Sequence, residues 1–197
     1  MLTKGILVTN PHDHLENSLN HLDDSAEPRN KDKNDQLVEE GSMEVSSFQS
    51  AIVLHAIDGD TIELTNRQRV RLIGINTPES TYKIEVYGKE ARNYTNEKLA
   101  GRAVWLQKDL SERDRYGRLL RIVWLEQPEN YFESEIRLKM FNADLILKGY
   151  AEPSTFPPDV KFSPFFRQFA REARSQKVGL WRFGGKGTTI GDFDFFR

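Results

Sequence analysis

The chain reads as a small five-stranded β-barrel with about three helices, mainly β with added α structure, behind an acidic tail that stays disordered. Three observations predict this. Three strand-like runs, "FQSAIVLHAI", "TIELT" and "QRVRLIGI", follow one another with only the turn signals Asp58-Gly59 and Thr65-Asn66 between them. Two further apolar runs come after a single helical segment. The first 47 residues mix Asn, Asp, Glu, Ser and His with little periodicity, so they lack the apolar area that offsets chain entropy.

The elements follow in order. The first three runs make an antiparallel meander. "GKEARNYTNEKLAG" then predicts a helix, with Ala91, Tyr94, Thr95, Lys98 and Leu99 on one side and Gly88 and Gly101 at its ends. Strands four and five lie at "RAVWLQKD" and "YGRLLRIVWLE", joined by the polar "LSERDR". A polar link, "QPENYFESEI", leads to a second helix at "FNADLILKGY", and a Pro-rich loop, "EPSTFPPD", leads to a third. In the third, Ser163 serves as N-cap and Pro164 as first-turn residue, and Gly179 is the stop. Phe165, Phe166, Phe169, Ala170 and Ala173 form its apolar face. That order of strands and helices fits a partly closed barrel of the OB type, whose edges and mouth commonly bind nucleic acid.

With 197 residues, one domain over 48–182 with extensions at 1–47 and 183–197 is the economical division. Hydrophobic residues are 38% and charged residues 29%, too polar for the whole length to pack. The formal net charge of −2 conceals an asymmetry, since the first 49 residues carry −6 and the rest +4. A mildly basic body of this kind suits a polyanionic partner. Cysteine is absent, which excludes disulfides, thiolate metal sites and a Cys nucleophile. No run approaches a membrane span, and Ile6, Leu7 and Val8 after Lys4 are too short for a secretion leader. The expectation is a soluble cytoplasmic monomer that does not associate with membranes. His12, His14 and His21 have no spacing that fixes a metal geometry and read as solvated tail.

Side chains alternate along a strand, so Asp60 shares the phase of the apolar Ile62 and Leu64. A carboxylate there is costly unless paired or metal-bound. The plainer alternative is that Asp58-Gly59-Asp60 only makes a hairpin turn. Arg71 follows the phase of Ile73 and Ile75, where a guanidinium requires an anion: a phosphate gripped in bidentate fashion, or a carboxylate of the same chain. Glu79, after Pro78, can turn back over the same barrel end. Arg113, Arg115 and Arg118 surround Tyr116-Gly117, and basic side chains beside an aromatic suit a phosphate chain, though Arg113 and Arg115 also fit a solvated charge run. No Ser, Cys or His nucleophile is required, and His55 reads as a strand residue.

"IDGDT", "VRLIGINTPE", "YGKEA", "DRYGRLLRIVW", "LILKGYA" and "EARSQKVGLW" stand in an order and spacing that resembles the staphylococcal nuclease (thermonuclease) family over about residues 50–182. The resemblance implies a calcium-dependent phosphodiesterase that cleaves DNA and RNA and leaves 3′-phosphates. It implies Asp60 as a calcium ligand, Thr77 as a ligand through its backbone carbonyl, and Arg71 and Arg118 as the pair that grips the scissile phosphate. Glu79 resembles the carboxylate that positions or deprotonates the attacking water, and Tyr116, with Arg115 beside it, resembles a tyrosine near a nucleotide phosphate. Asn76 stands where many members carry Asp. Its amide oxygen can coordinate a hard cation but adds no charge, so weaker metal binding is expected. The rival expectation is a non-catalytic nucleic-acid or protein-binding module. Such modules usually lose several active residues together, and here only Asn76 departs.

Overall fold

A computed structural model describes residues 48–81 and 85–183. The N-terminal extension, its three histidines and the C-terminal tail beyond residue 183 lie outside the described residues. In chain order the elements are β1 (Phe48–Asp58), β2 (Thr61–Leu64), β3 (Arg69–Leu72), β4 (Gly74–Asn76), α1 (Gly88–Leu99), β5 (Ala103–Gln107), β6 (Leu119–Trp124), α2 (Glu133–Lys139), α3 (Phe141–Leu147), β7 (Glu152–Ser154) and α4 (Ser163–Ser175), followed by a 3₁₀ turn at Gly179–Phe183.

Five strands close a barrel in the order β1-β2-β3-β6-β5, as an OB-type fold requires. Closure depends on β1. Its first half pairs with β5, Ala51 opposite Val104, and its second half with β2, Ala56 opposite Ile62. Irregularities in register after Val53 and Ala56 bend the strand so that it serves both neighbours. The β3–β6 pair is parallel, because the chain crosses over through α1 and β5 before returning. Inside lie Val53, Ile62, Leu64, Val70, Leu72, Val104, Leu106 and Val123, all buried. Phe166 and Phe169 of α4 and Phe141 of α3 continue the same core.

The run expected as one strand, "QRVRLIGI", breaks at Ile73-Gly74. Gly74 has φ +78°, and a Cβ there would meet the Phe166 ring at 2.4 Å, so glycine is required both for the turn and for the packing. Beyond the break, β4 leaves the barrel and pairs with β7, which forms inside the segment expected as a Pro-rich loop. Pro153 is tolerated because this is a short two-stranded ribbon outside the barrel. Asn142 of α3 supports the break: its Nδ2 donates to Ile73 O at 2.9 Å while its Oδ1 accepts from Val123 N at 2.9 Å.

Three other expectations change. Arg71 does not share an inward phase with Ile73 and Ile75, since the strand turns between them; Val70 and Leu72 point inward, and Arg71 lies on the opposite face across from Thr61. The polar link contains α2, whose one buried residue, Ile136, is too little for a periodic signal. Ser163 is the first helical residue of α4 and Phe162 its cap, with no side-chain capping bond; Pro164 is in the first turn as expected. Among the described residues no helix is long and apolar enough to cross a membrane.

Candidate active site

The β1–β2 turn carries the first acidic residues. α1 fixes that hairpin: Thr95 Oγ1 donates to Gly59 O at 2.6 Å, and Asn96 Oδ1 accepts from Ala56 N at 3.0 Å. Asp60, at the tip, is only 5% exposed. Its Oδ1 accepts from Thr61 Oγ1 at 3.0 Å and its Oδ2 from Thr77 N at 3.0 Å. Arg71 completes the set with Nη2 at 2.9 Å from Asp60 Oδ2. Its Nη2 also donates to Asn76 Oδ1 at 3.1 Å and its Nη1 to Ile75 O at 2.9 Å. Of the two alternatives for Arg71, the carboxylate of the same chain is the one present, and the guanidinium also lines an open cleft.

Thr77 packs over Gly59, where a Cβ would meet Thr77 Oγ1 at 2.6 Å. Its Oγ1 is buried with no hydrogen-bond partner, and its carbonyl accepts from Asn76 Nδ2 at 3.2 Å. Among the described residues no three His, Cys, Asp or Glu side chains gather as a metal-binding group. The oxygens gathered around Arg71 are instead the carboxylate of Asp60 and the neutral side-chain oxygen of Asn76, with the Thr77 carbonyl beside them. That all-oxygen set fits a hard cation such as calcium, with one charged ligand. Arg71 rests on two of those oxygens, Asp60 Oδ2 and Asn76 Oδ1.

Arg118 arrives from the turn entering β6. Its Nε donates to Asp114 Oδ2 at 2.6 Å, and its Nη1 donates to Thr61 Oγ1 at 3.3 Å. Thr61 thus joins Arg118 to Asp60 through one hydroxyl. Burial pushes the Asp114 carboxyl up, but hydrogen bonds from the Arg118 side chain and from the backbone of Arg118 and Tyr116 outweigh it and hold Asp114 below the usual carboxylate value. Tyr116, 68% exposed, has the Arg115 guanidinium 4.8 Å and that of Arg118 5.4 Å from its ring centre. Arg113 Nη1 donates to Gly117 O at 2.7 Å, on the same turn.

Two pockets meet at Tyr116 and Arg118. One, about 430 Å³, is lined by Arg71, Arg115 and Phe156; the other, about 530 Å³, by Asp58, Thr61, Arg69 and Glu79. Glu79 Oε1 accepts from Thr81 N at 3.2 Å, while its own N–H donates to Glu85 Oε2 at 3.0 Å. Asp58, beside it, accepts from Ser80 Oγ at 2.7 Å and Gly59 N at 2.9 Å. Burial pushes Asp58 up to about 6, helped by Glu79 and Asp60 and opposed by its bonds to Ser80 and Gly59.

The profile of the family described as "Staphylococcal nuclease homologue" matches residues 69–183, more than half of the chain. The chain belongs to the staphylococcal nuclease family. The thermonucleases of Staphylococcus intermedius and Staphylococcus hyicus are both 34% identical to it, over 139 and 135 residues; these cover 68% and 66% of this chain and 76% and 73% of theirs. The SPbeta prophage-derived endonuclease YokF of Bacillus subtilis is 30% identical over 144 residues, 69% of this chain and 45% of that protein. The family match begins at Arg69, so it takes in Arg71, Glu79 and Arg118 but not Asp60.

For this member of the family, the tertiary structure brings Asp60, Arg71, Asn76 and Thr77 together and links Arg118 to them through Thr61. Glu79 lies on the wall of the pocket that Arg118 and Thr61 share, and Tyr116 and Arg115 stand on the rim. Sequence reasoning missed Asp114, Ser80 and Phe156, and treated Asp58 only as a turn residue. Asp114 had a signal: it opens the turn "DRYG", and its Oδ1 accepts from Tyr116 N at 2.9 Å as in an Asx-turn. Phe156 had only its place in a Pro-rich stretch. It is 73% exposed and reaches the cleft through the β7 segment.

Proposed function

We propose that the protein is a nuclease that hydrolyses phosphodiester bonds of DNA or RNA with calcium as cofactor, by attack of water, leaving 3′-phosphates. The observation that carries this reading is the convergence of Arg71 and Arg118 on one cleft, with Glu79 lining the adjoining pocket that Arg118 shares, in a chain related to thermonucleases and an endonuclease. Arg71 and Arg118 bind the scissile phosphate and neutralise the charge that builds up as water attacks; fixed guanidiniums in a partly dry cleft act more strongly there than in bulk water. Asp114 keeps Arg118 aimed. Glu79 accepts the proton of the water whose oxygen forms the new P–O bond, while the bond to the 5′-oxygen breaks and that oxygen takes a proton from solvent. Asp60, Asn76 and the Thr77 carbonyl would hold the calcium ion, which would supply Lewis-acid charge to the site when bound.

The direct test is cleavage of single-stranded and duplex DNA with and without a calcium chelator, with end-group analysis of the products. Loss of cleavage in chelator and 3′-phosphate ends are expected; full activity in chelator discards the metal, and 5′-phosphate ends discard the bond assignment. The Arg71–Asp60 pair favours a second reading, a non-catalytic nucleic-acid-binding module. Binding without turnover at millimolar calcium would establish it.

A further inference from the structure

We propose that the pocket on the Glu79 side of Arg118 is a subsite for the nucleotide next to the cleaved bond, and that Arg69 holds the phosphate beyond it. The proposal rests on the nuclease reading above and extends it from one phosphodiester to a polymer.

Arg69 and Arg71 lie on the same face of β3, opposite Glu63 and Thr61 of β2. Two residues along a strand rise about 6.6 Å, comparable with the step from one phosphate to the next along an extended single strand. The two guanidiniums serve different pockets: Arg71 lines the 430 Å³ cleft and Arg69 the 530 Å³ pocket, with Arg118 common to both. A strand whose scissile phosphate sits at Arg71 and Arg118 therefore continues over the outer face of β3 past Arg69. The second pocket lies within the size range of ordinary ligand sites, roughly 300 to 1,000 Å³.

Arg69 is available for that contact. Its side chain is 62% exposed, and its nearest carboxylate oxygen, Glu63 Oε2, is 3.9 Å away, while Glu63 Oε1 is taken by Arg67 at 3.0 Å. An exposed pair at that distance holds the guanidinium weakly. Glu79 and the buried Asp58 also line this pocket and repel a phosphate, which leaves Arg69 and Arg118 as the groups that attract one.

The test compares wild type, Arg69→Ala and Arg69→Lys on a dinucleotide with one phosphodiester and on a tetranucleotide with flanking ones. For the tetranucleotide, kcat/KM falls about tenfold in Arg69→Ala, mainly through KM, since one charge-assisted contact is lost. For the dinucleotide it is unchanged, and Arg69→Lys keeps most of the wild-type value. A neutral methylphosphonate at the flanking linkage reproduces the loss in wild type and adds nothing in Arg69→Ala. Equal loss on both substrates, no loss on either, or a methylphosphonate effect that persists in Arg69→Ala overturns the proposal. A wild-type protein that cleaves neither substrate overturns the nuclease reading itself.

Discussion

Arg118 reaches the cleft from an exposed turn, and a guanidinium there would ordinarily sample many rotamers. Asp114 prevents this by taking Nε–H with one oxygen and the Arg118 and Tyr116 backbone N–H groups with the other. Asp114→Asn keeps the shape and an oxygen for the turn while removing the charge that faces Arg118. Its expected effect is a fall in kcat/KM of about 10- to 10²-fold with the melting temperature little changed, as for a misplaced catalytic group. Unchanged kinetics would mean that Arg118 is aimed by something else. Asn76 is the second informative residue, because its amide oxygen is at once a candidate ligand and an acceptor for Arg71. Asn76→Asp adds a charged ligand, and calcium affinity measured by titration calorimetry is expected to rise by about tenfold. An unchanged affinity would remove position 76 from the metal site.

At the level of elements, the helices matter for what they hold in place. α1 binds the Asp58–Asp60 hairpin through Thr95 and Asn96, and α3 binds the β3–β4 break through Asn142. α4 is tied to α2 where Arg137 donates to both Glu172 oxygens, at 2.9 and 2.6 Å, and lies 4.3 Å from the Phe169 ring centre. The hydrogen bond from Arg137 holds the Glu172 carboxyl below its ordinary value of 4.5. A carboxyl depressed in the folded state contributes stability above its unfolded pKa and loses it as pH falls through the folded value. Both partners are about a third exposed, so solvent screening keeps the contribution under ~1 kcal/mol. Glu172→Gln is expected to melt slightly lower than wild type near pH 7, with the gap closing as the pH drops below about 4.5. A gap that stays constant down to pH 3 would show that packing, and not charge, joins the two helices.

Over the whole molecule, charge is divided unevenly: residues 1–47 carry −6 and the remainder +4. Long-range fields act on association with a polyanion without any contact. Deleting residues 1–47 is expected to tighten binding to single-stranded DNA several-fold at low ionic strength, and the difference is expected to vanish near 1 M salt, where the Debye length is about 3 Å. Equal affinities of the two forms at low salt would show that the acidic segment has no bearing on substrate.

Strong local patterns were readable directly. β1, β2, β5 and β6 and the helices α1, α3 and α4 follow from hydrophobic alternation or helical spacing, and Arg71, Glu79 and Arg118 were singled out by residue type and motif. The separate elements β4, β7 and α2 were not readable: β4 reads as the end of the third strand, β7 has three residues, and α2 buries only Ile136, so each depends on contacts distant in sequence. The direction of Arg71 belongs with them: Gly74, packed beneath Phe166, turns the chain and breaks the alternation on which its phase was judged. The sequence by itself determined which charged residues this barrel carries and on which turns. Only the tertiary structure decided that Thr61 links Asp60 to Arg118, that Arg71 rests on Asp60 and Asn76, and that two pockets meet at one arginine. Hydrogen bonds and clefts are properties of distances in space: the β2–β3 pairing sets Arg71 beside Asp60, and only the β3–β6 pairing across the closed barrel brings the turn that carries Arg118 to the same end.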